Sequence, residues 1–158
     1  MVAMTTAPPL RFTASTTIPA PPARAYGIIA DYHQGHPRIV PPKYFTGLIV
    51  EEGGIGAGTV IRVQMRVLGI RQEFRARITE PEPGRLLVET SDDGQITTSF
   101  LVEPHANGTA CEVTLTTEMP RRRGLAGFLQ RQFLGWLLRR MFAEELRLLA
   151  EVCREPTP

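Results

Sequence analysis

The side chains in this sequence that are best able to move a proton lie in one short segment. Tyr32, His33 and His36 follow one another closely, and phenol and imidazole groups are common general acids and bases. If the fold encloses a cavity, we expect this segment at its mouth. Tyr32 and His36 are then candidate catalytic residues, and Gln72 is a third candidate, as a donor that orients the ligand. The alternative is that Tyr32 packs in the core and that both histidines are exposed loop residues.

The same segment has some features of a metal site but lacks others. His33 and His36 are three residues apart, which on a helix would put both side chains on one face, and Asp31 is close by. However, Gly35 and Pro37 interrupt any regular helix here, and no third ligand is apparent. We therefore expect no metal and no cofactor.

The elements that position these side chains begin with strands. A threonine-rich strand is predicted from Leu10 to Ile18, followed by two short helices that end before Pro41. From Phe45 to Thr117 apolar and polar residues alternate, which predicts six further antiparallel strands. In one of these strands we expect Leu86, Val88 and Thr90 to face inward. The candidate ligand-binding residues on the inner face of the sheet are Val63, Met65, Gln72, Phe74, Val88, Thr98 and Phe100.

The last predicted element is a long amphipathic helix from about Gly124 to Val152. It is the one large element available to cover the apolar face of the sheet. Its apolar stripe rotates near Arg139, so that residues 133–138 are apolar almost all round. Phe133 and Trp136 complete the candidate ligand-binding set. The alternative is that the whole set forms an ordinary core, and the apolar surplus leaves a monomer and a dimer both open.

An arginine run precedes this helix. Arg121, Arg122 and Arg123 oppose the helix macrodipole rather than complement it. Together with the apolar residues that follow, they could rest on an anionic membrane surface. The alternative is a solvated charge run beside a buried helix.

Composition limits the classes of protein that need to be considered. A chain of 158 residues suits a single domain, which we place at residues 10–153 between a disordered N-terminus, 1–9, and a tail, 154–158. A formal net charge of +2 is too small to indicate nucleic acid binding. Cys111 and Cys153 lack metal-type spacing and are expected to be buried thiols. With no secretory signal and no membrane-spanning run, we expect a cytoplasmic protein.

Several short phrases in this order resemble one known superfamily. The resemblance covers roughly Phe12 to Val152, and the phrases are fairly specific only when taken together. They are Ile18-Pro-Ala-Pro-Pro-Ala-Arg24, Asp31-Tyr32, Gly56-Ala-Gly-Thr59, Ile78-Thr-Glu-Pro-Glu-Pro-Gly-Arg-Leu86, Phe100-Leu-Val-Glu-Pro104 and Asn107-Gly-Thr109. The chain resembles the START-like helix-grip (SRPBCC) superfamily, which includes birch-pollen-allergen-like proteins and the bacterial polyketide cyclase/dehydrase family.

The resemblance implies both a fold and a class of function. The implied fold is α+β: a curved antiparallel seven-stranded sheet wrapped around a long C-terminal helix, with two short helices after the first strand. The implied function is binding or transport of a hydrophobic small molecule of lipid, polyketide or quinone type. Two alternatives stay open: a cofactor-free cyclase, dehydratase or aromatase, and a membrane-associated lipid or quinone chaperone. The superfamily has no universal catalytic motif to transfer, because function diverges widely on one fold.

Overall fold

The first elements of the chain are a strand and a short helix. A computed structural model describes residues 7–157, so residues 1–6 of the predicted disordered N-terminus and Pro158 of the predicted tail lie outside the described residues. Strand β1 spans Leu10–Ile18, and helix α1 spans Pro22–Ala30. Pro22 suits the first turn of α1 because no backbone N–H is needed there. The second predicted helix is a single 3-10 turn, His36–Arg38.

The alternating region forms six strands, as predicted. They are β2 (Phe45–Glu52), β3 (Val60–Val67), β4 (Ile70–Glu82), β5 (Leu86–Ser91), β6 (Thr97–His105) and β7 (Ala110–Met119). With β1 they make one seven-stranded sheet in the order β1-β7-β6-β5-β4-β3-β2. Every neighbouring pair is antiparallel. The predicted fold class is confirmed.

The inward face of β5 differs from the prediction. Leu87 lies directly opposite the inward-facing Phe100 of β6, and residues opposite each other in a ladder share a face. Leu87, Glu89 and Ser91 therefore face inward, whereas Val88 faces the other side of the sheet. The prediction was wrong because three consecutive apolar residues carry no period-two signal, and a shift of one position turns every side chain over.

Helix α2 spans Gly124–Arg154 and runs for 31 residues without a break. Its C-terminal half packs into the core, through Phe142, Leu146 and Leu149 among others. Its N-terminal half is apolar on the outside as well, over a longer stretch than residues 133–138, which the sequence predicted to be apolar almost all round. The large side chains exposed there are Leu125, Phe128, Leu129, Phe133 and Trp136.

The sheet and α2 meet only over part of their length. One cluster of buried side chains joins α1, the inner face of the sheet and the C-terminal half of α2. Where the middle of α2, residues 133–145, passes over the sheet, the two layers leave a cavity between them. No helix among residues 7–157 is long and apolar enough to cross a membrane.

Candidate functional site

The cavity between the sheet and α2 has a volume of about 720 Å³. Strands β2 to β7 form its floor and walls, and α2 forms its roof. Apolar side chains dominate the lining because the inner face of the sheet and the underside of α2 are both apolar. Those on the helix side are Phe133, Leu134, Leu137, Leu138, Met141 and Phe142.

The cavity has an open mouth and a closed end. At the mouth, Phe74, Ile96 and Phe133 are 39%, 43% and 42% exposed, and Arg122 lies beside them. At the closed end, His36 and Glu145 are only 3% and 7% exposed. The apolar walls thus lead from a surface opening to an enclosed polar group of residues.

The first part of this polar group is built around Glu89 on β5. The Tyr32 hydroxyl donates a 2.6 Å hydrogen bond to Glu89 Oε1. Burial, with the charge of Glu89 and this hydrogen bond, raises the pKa of the Tyr32 phenol well above its ordinary value. The phenol therefore stays protonated and keeps donating to Glu89. Glu89 Oε2 accepts no hydrogen bond from the residues that the structure describes.

His36 packs against the same pair. Its ring stacks on Tyr32 with centroids 4.4 Å apart, and its Nδ1 lies 2.7 Å from the Ile29 carbonyl oxygen. Because a carbonyl can only accept, Nδ1 carries the proton and donates. The other ring nitrogen, Nε2, faces Glu89 Oε1 at 3.5 Å. His36 thus has one nitrogen fixed by the backbone and the other turned to a carboxylate.

Glu145 supplies the second carboxyl group, from α2. It lies one turn after Met141 and one turn before Leu149, so it belongs to the buried stripe of the helix. It makes no hydrogen bond to any described residue, yet none of the fully enclosed side-chain polar atoms in residues 7–157 lacks a partner. The carboxyl oxygens of Glu145 must therefore open onto the cavity, which Glu145 lines. Burial, and secondarily the charge of Glu89, raise the pKa of this carboxyl well above its ordinary value.

Most of the predicted ligand-binding residues do line the cavity, and whether they bind a ligand stays a prediction. The ones that line it are Val63, Met65, Gln72, Phe74, Thr98, Phe100 and Phe133. Val88 does not, because it faces the outer side of β5. Trp136 does not line it either, because it lies about 100° around the axis of α2 from Leu137, which does. The Trp136 side chain is 43% exposed, and the Arg140 guanidinium lies 4.8 Å from its ring centroid.

The predicted catalytic candidates are only partly brought together. Tyr32 and His36 are in contact, but at the closed end of the cavity rather than at its mouth. Gln72 is exposed and lies on β4 six residues before Ile78, the residue paired with Glu89. At 3.3 Å per residue this separation is roughly 20 Å. Gln72 therefore cannot act on the same ligand atom as Tyr32 and His36.

The two histidines of the segment have different environments. His33 is exposed, with Nε2 3.2 Å from the Gly53 carbonyl oxygen, whereas His36 is buried. The alternative that both are exposed loop residues is thus wrong for His36. No group of three or more His, Cys, Asp or Glu side chains within residues 7–157 is arranged to hold a metal ion.

Sequence reasoning missed both carboxylates. Glu145 could have been found, because a glutamate at the helical spacing of Leu138, Met141 and Leu149 is a charged residue in an apolar stripe. Glu89 could not, since its inward position depends on the phase of β5, which the sequence leaves ambiguous.

A family model described as "Polyketide cyclase / dehydrase and lipid transport" matches residues 9–154. The chain therefore belongs to this family, and the helix-grip resemblance seen in the sequence is confirmed. Curated protein sequences gave no match to this chain.

Solved structures share the fold over nearly the whole chain. The KanY protein, solved in solution, is 25% identical, with a TM-score of 0.80 over 93% of this chain and 99% of its own. A protein from Thermus thermophilus, TTHA0849, is 22% identical, with a TM-score of 0.73 over 91% and 97%. The Zhui aromatase/cyclase from Streptomyces sp. R1128 is 19% identical, with a TM-score of 0.71 over 92% and 93%.

Proposed function

We propose that this protein binds an apolar small molecule, of lipid, polyketide or quinone type, in the cavity between the sheet and α2, and acts as its carrier. The observation that carries the proposal is the cavity itself, with about 720 Å³ inside mostly apolar walls. Protein interiors are normally packed without voids of this size, and small-molecule pockets measure roughly 300–1,000 Å³. A family that includes lipid transport supports the same class of ligand.

The test compares a tryptophan substitution that fills the cavity, on the inner face of the sheet, with one on the outer face. Met65→Trp places a large ring inside the cavity, whereas Val88→Trp places the same ring on the outer face. Binding of the neutral apolar dye N-phenyl-1-naphthylamine is measured by its fluorescence. We expect Met65→Trp to weaken binding at least about tenfold and Val88→Trp to leave it unchanged. Equal affinity for both variants, or no binding by the unaltered protein, would overturn the proposal.

A second candidate function is acid–base catalysis, and one specific observation favours it. The cavity ends at two carboxyl groups in different environments: Glu89 is hydrogen-bonded by Tyr32 and faces His36, whereas Glu145 is buried without a partner. A carboxyl group whose pKa is raised by burial is a common general acid when a second carboxyl group or a histidine is close enough to act as the base. The structural neighbour Zhui is an aromatase/cyclase, which supports chemistry of this kind on this fold.

The reaction class that fits is elimination of water from a β-hydroxy carbonyl compound. Glu89 or His36 Nε2 takes the proton from the carbon next to the carbonyl, and the electron pair of that bond forms the new C=C bond. Glu145, whose raised pKa favours the protonated form, gives its proton to the leaving hydroxyl group, which departs as water. Atoms and electrons balance without a cofactor.

Turnover and binding distinguish the two functions. A β-hydroxydecanoyl thioester is incubated with the protein, and the conjugated product is followed by its ultraviolet absorption. If the protein is an enzyme of this type, Glu145→Gln and His36→Gln should abolish product formation but retain dye binding. If the unaltered protein forms no conjugated product while it binds the thioester, the enzyme candidate fails and the carrier remains.

A further inference from the structure

The closed end of the cavity has carboxyl oxygens that make no hydrogen bond within the described residues. Both oxygens of Glu145 and one oxygen of Glu89 have no hydrogen-bond partner among residues 7–157. Tyr32 and His36 also border this end. The Tyr32 hydroxyl already donates to Glu89, and His36 Nδ1 already donates to the Ile29 carbonyl. The end of an apolar cavity therefore offers acceptors and one carboxyl proton to whatever enters it.

No fixed positive charge balances these carboxyl groups. Of the cavity-lining residues that the structure describes, Arg122 is the one Arg or Lys. It lies at the mouth, and 21 residues of α2 separate the start of the helix, Gly124, from Glu145. At 1.5 Å per residue this is roughly 30 Å. An anion at the closed end would therefore meet Glu89 and Glu145 with no Arg or Lys of the described lining beside it.

Resting on the proposed binding function, we propose that the closed end is a head-group subsite. It binds an apolar molecule through a hydroxyl or primary amine group that donates to Glu89 and exchanges a hydrogen bond with Glu145. It rejects the carboxylate of a fatty acid of the same chain length. Burial strengthens both the attraction and the repulsion, because charges interact more strongly away from water.

Three probes that differ only in the head group test this inference: decanol, decylamine and decanoate. Their dissociation constants are measured on the full chain by displacement of N-phenyl-1-naphthylamine near neutral pH. We expect decanol and decylamine to bind at least about tenfold more tightly than decanoate. In Glu89→Gln the preference for decylamine over decanoate should shrink, whereas in Glu144→Gln, one residue before Glu145 but outside the cavity, it should not change.

Each other outcome identifies what is wrong. If no probe displaces the dye, the proposed binding function fails and this inference fails with it. If decanoate binds as tightly as decanol, the cavity binds ligands but the head-group subsite is wrong. If decanoate binding is lost in Arg122→Gln, the polar group of the ligand lies at the mouth, which also overturns the inference.

A different part of the molecule carries a second inference. Two exposed apolar segments lie beside the cavity mouth, and we call them together the mouth surface. One is the tip of the β3–β4 hairpin, and the other is the outer side of the N-terminal half of α2. The residues of the mouth surface are Leu68, Ile70, Leu125, Phe128, Leu129 and Trp136.

The hairpin tip breaks the usual sequence rule for a tight turn. Leu68 is 74% exposed and has a φ of 50°, a conformation that favours Gly, Asn or Asp over a bulky side chain. Neither burial nor backbone geometry accounts for leucine at this position. A contact outside the folded chain does account for it.

The charge of the mouth surface selects the partner. Residues 119–143 contain six arginines and no Asp or Glu, and all six arginines are exposed: Arg121, Arg122, Arg123, Arg131, Arg139 and Arg140. A second copy of this chain would bring the two sets of arginines together, and their repulsion would oppose a dimer. An anionic lipid surface complements both the apolar side chains and the charge.

We therefore infer that the mouth surface docks on anionic membranes, with the cavity mouth toward the lipid. Gln130 of α2 fixes the arginine segment 121–123 that precedes the helix. Its Oε1 accepts from the Arg122 backbone N–H at 3.0 Å, and its Nε2 donates to the Pro120 carbonyl at 3.3 Å. Attraction between exposed arginines and lipid phosphates weakens with salt, while insertion of apolar side chains does not.

The test is co-sedimentation of the full chain with vesicles of phosphatidylcholine, with and without phosphatidylglycerol. We expect retention only on the vesicles with phosphatidylglycerol, decreasing steeply with salt, and a blue shift of Trp136 emission on binding. Replacing Arg121, Arg122 and Arg123 by Gln should lower the vesicle partition coefficient about a hundredfold at low salt, at roughly one kcal/mol per arginine. Replacing Arg77, Arg85 and Arg147, which removes the same charge elsewhere, should not.

Three results would overturn the docking inference. The first is no retention on phosphatidylglycerol vesicles at low salt. The second is an equal loss of retention in both triple variants, which would mean that only net charge matters. The third is a concentration-dependent dimer that Leu125→Ser and Phe128→Ser convert to monomer, which would assign the mouth surface to a second copy of the chain.

Discussion

Glu89 on β5 and Glu145 on α2 face the same closed end of one cavity, yet only Glu89 has a hydrogen-bond partner there among the described residues, Tyr32. Tyr32 holds Glu89 through a hydrogen bond and His36 packs beside it, whereas Glu145 is buried with its oxygens open to the cavity. This difference makes the closed end polar and asymmetric, and several predictions about stability rest on it.

Glu145 should make the protein less stable as the pH rises. Its folded pKa is raised above the ordinary value of about 4.5, so between these two values the folded state binds more protons than the unfolded state. The free energy of unfolding then falls with rising pH, by at most about 1.4 kcal/mol per pH unit for one group. Glu145→Gln lacks this group, so its stability relative to the unaltered protein should increase across that range in urea denaturation.

The adjacent residue is a matched control for this prediction. Glu144 is on the surface, and its hydrogen bond with Arg147 lowers its pKa. Glu144→Gln should therefore show a small effect of opposite sign, a slight loss of stability above the ordinary carboxyl pKa. A stability difference for Glu145→Gln that does not change with pH would contradict the burial of an unpaired carboxyl.

Tyr32→Phe should lower the free energy of unfolding by about 1–2 kcal/mol, because it removes the donor to Glu89 Oε1 and leaves that oxygen unpaired. Tyr44→Phe is the control: Tyr44 is 8% exposed, and its hydroxyl makes no hydrogen bond to a described residue. Equal effects of the two substitutions in urea denaturation would mean that the Tyr32–Glu89 hydrogen bond does not contribute.

The phase of β5 can be tested with two neighbouring alanine substitutions. Leu87 is fully buried, so Leu87→Ala should lower stability by about 2–4 kcal/mol through lost burial and the space left behind. Val88→Ala, on the outer face, should lower it by less than about 1 kcal/mol. If urea denaturation showed a larger loss of stability for Val88→Ala than for Leu87→Ala, Val88 would face inward, as the sequence first indicated.

Elements with a clear period could be predicted from the sequence. Seven strands and the terminal helix were found because alternation and helical spacing persist over many residues, and the prolines before α1 mark its start. The floor of the cavity on β3, β4 and β6 followed from the same alternation, as Val63, Phe74 and Phe100 illustrate.

What failed depended on packing between elements that are distant in sequence. Leu86, Leu87 and Val88 are all apolar, so only the pairing of Leu87 with Phe100 decides which of them face inward. Trp136 was placed near a ligand because the middle of α2 is apolar all round, but the helix can turn only one side to the cavity. The role of His36 depends on the Ile29 carbonyl and on Glu89, which the sequence does not bring together.

The two cysteines should react slowly in the folded protein. Burial raises the pKa of the Cys153 thiol to about 11 and also raises the pKa of the buried Cys111. Because the thiolate is the nucleophile, both should react with Ellman's reagent much more slowly in buffer than in urea at the same pH. Rapid reaction of Cys111 without denaturant would contradict its burial in this fold.

The most direct test of ligand binding in the cavity is solution NMR of protein with labelled Ile and Met methyl groups in the presence of decanol. The account predicts intermolecular nuclear Overhauser effects from the alkyl chain to Ile61, Met65 and Met141, which line the cavity. It predicts none to Ile18 and Ile39, which are buried in the core but outside the cavity. Effects confined to the surface residue Ile70, or none at the three cavity residues with decanol bound, would contradict the central claim.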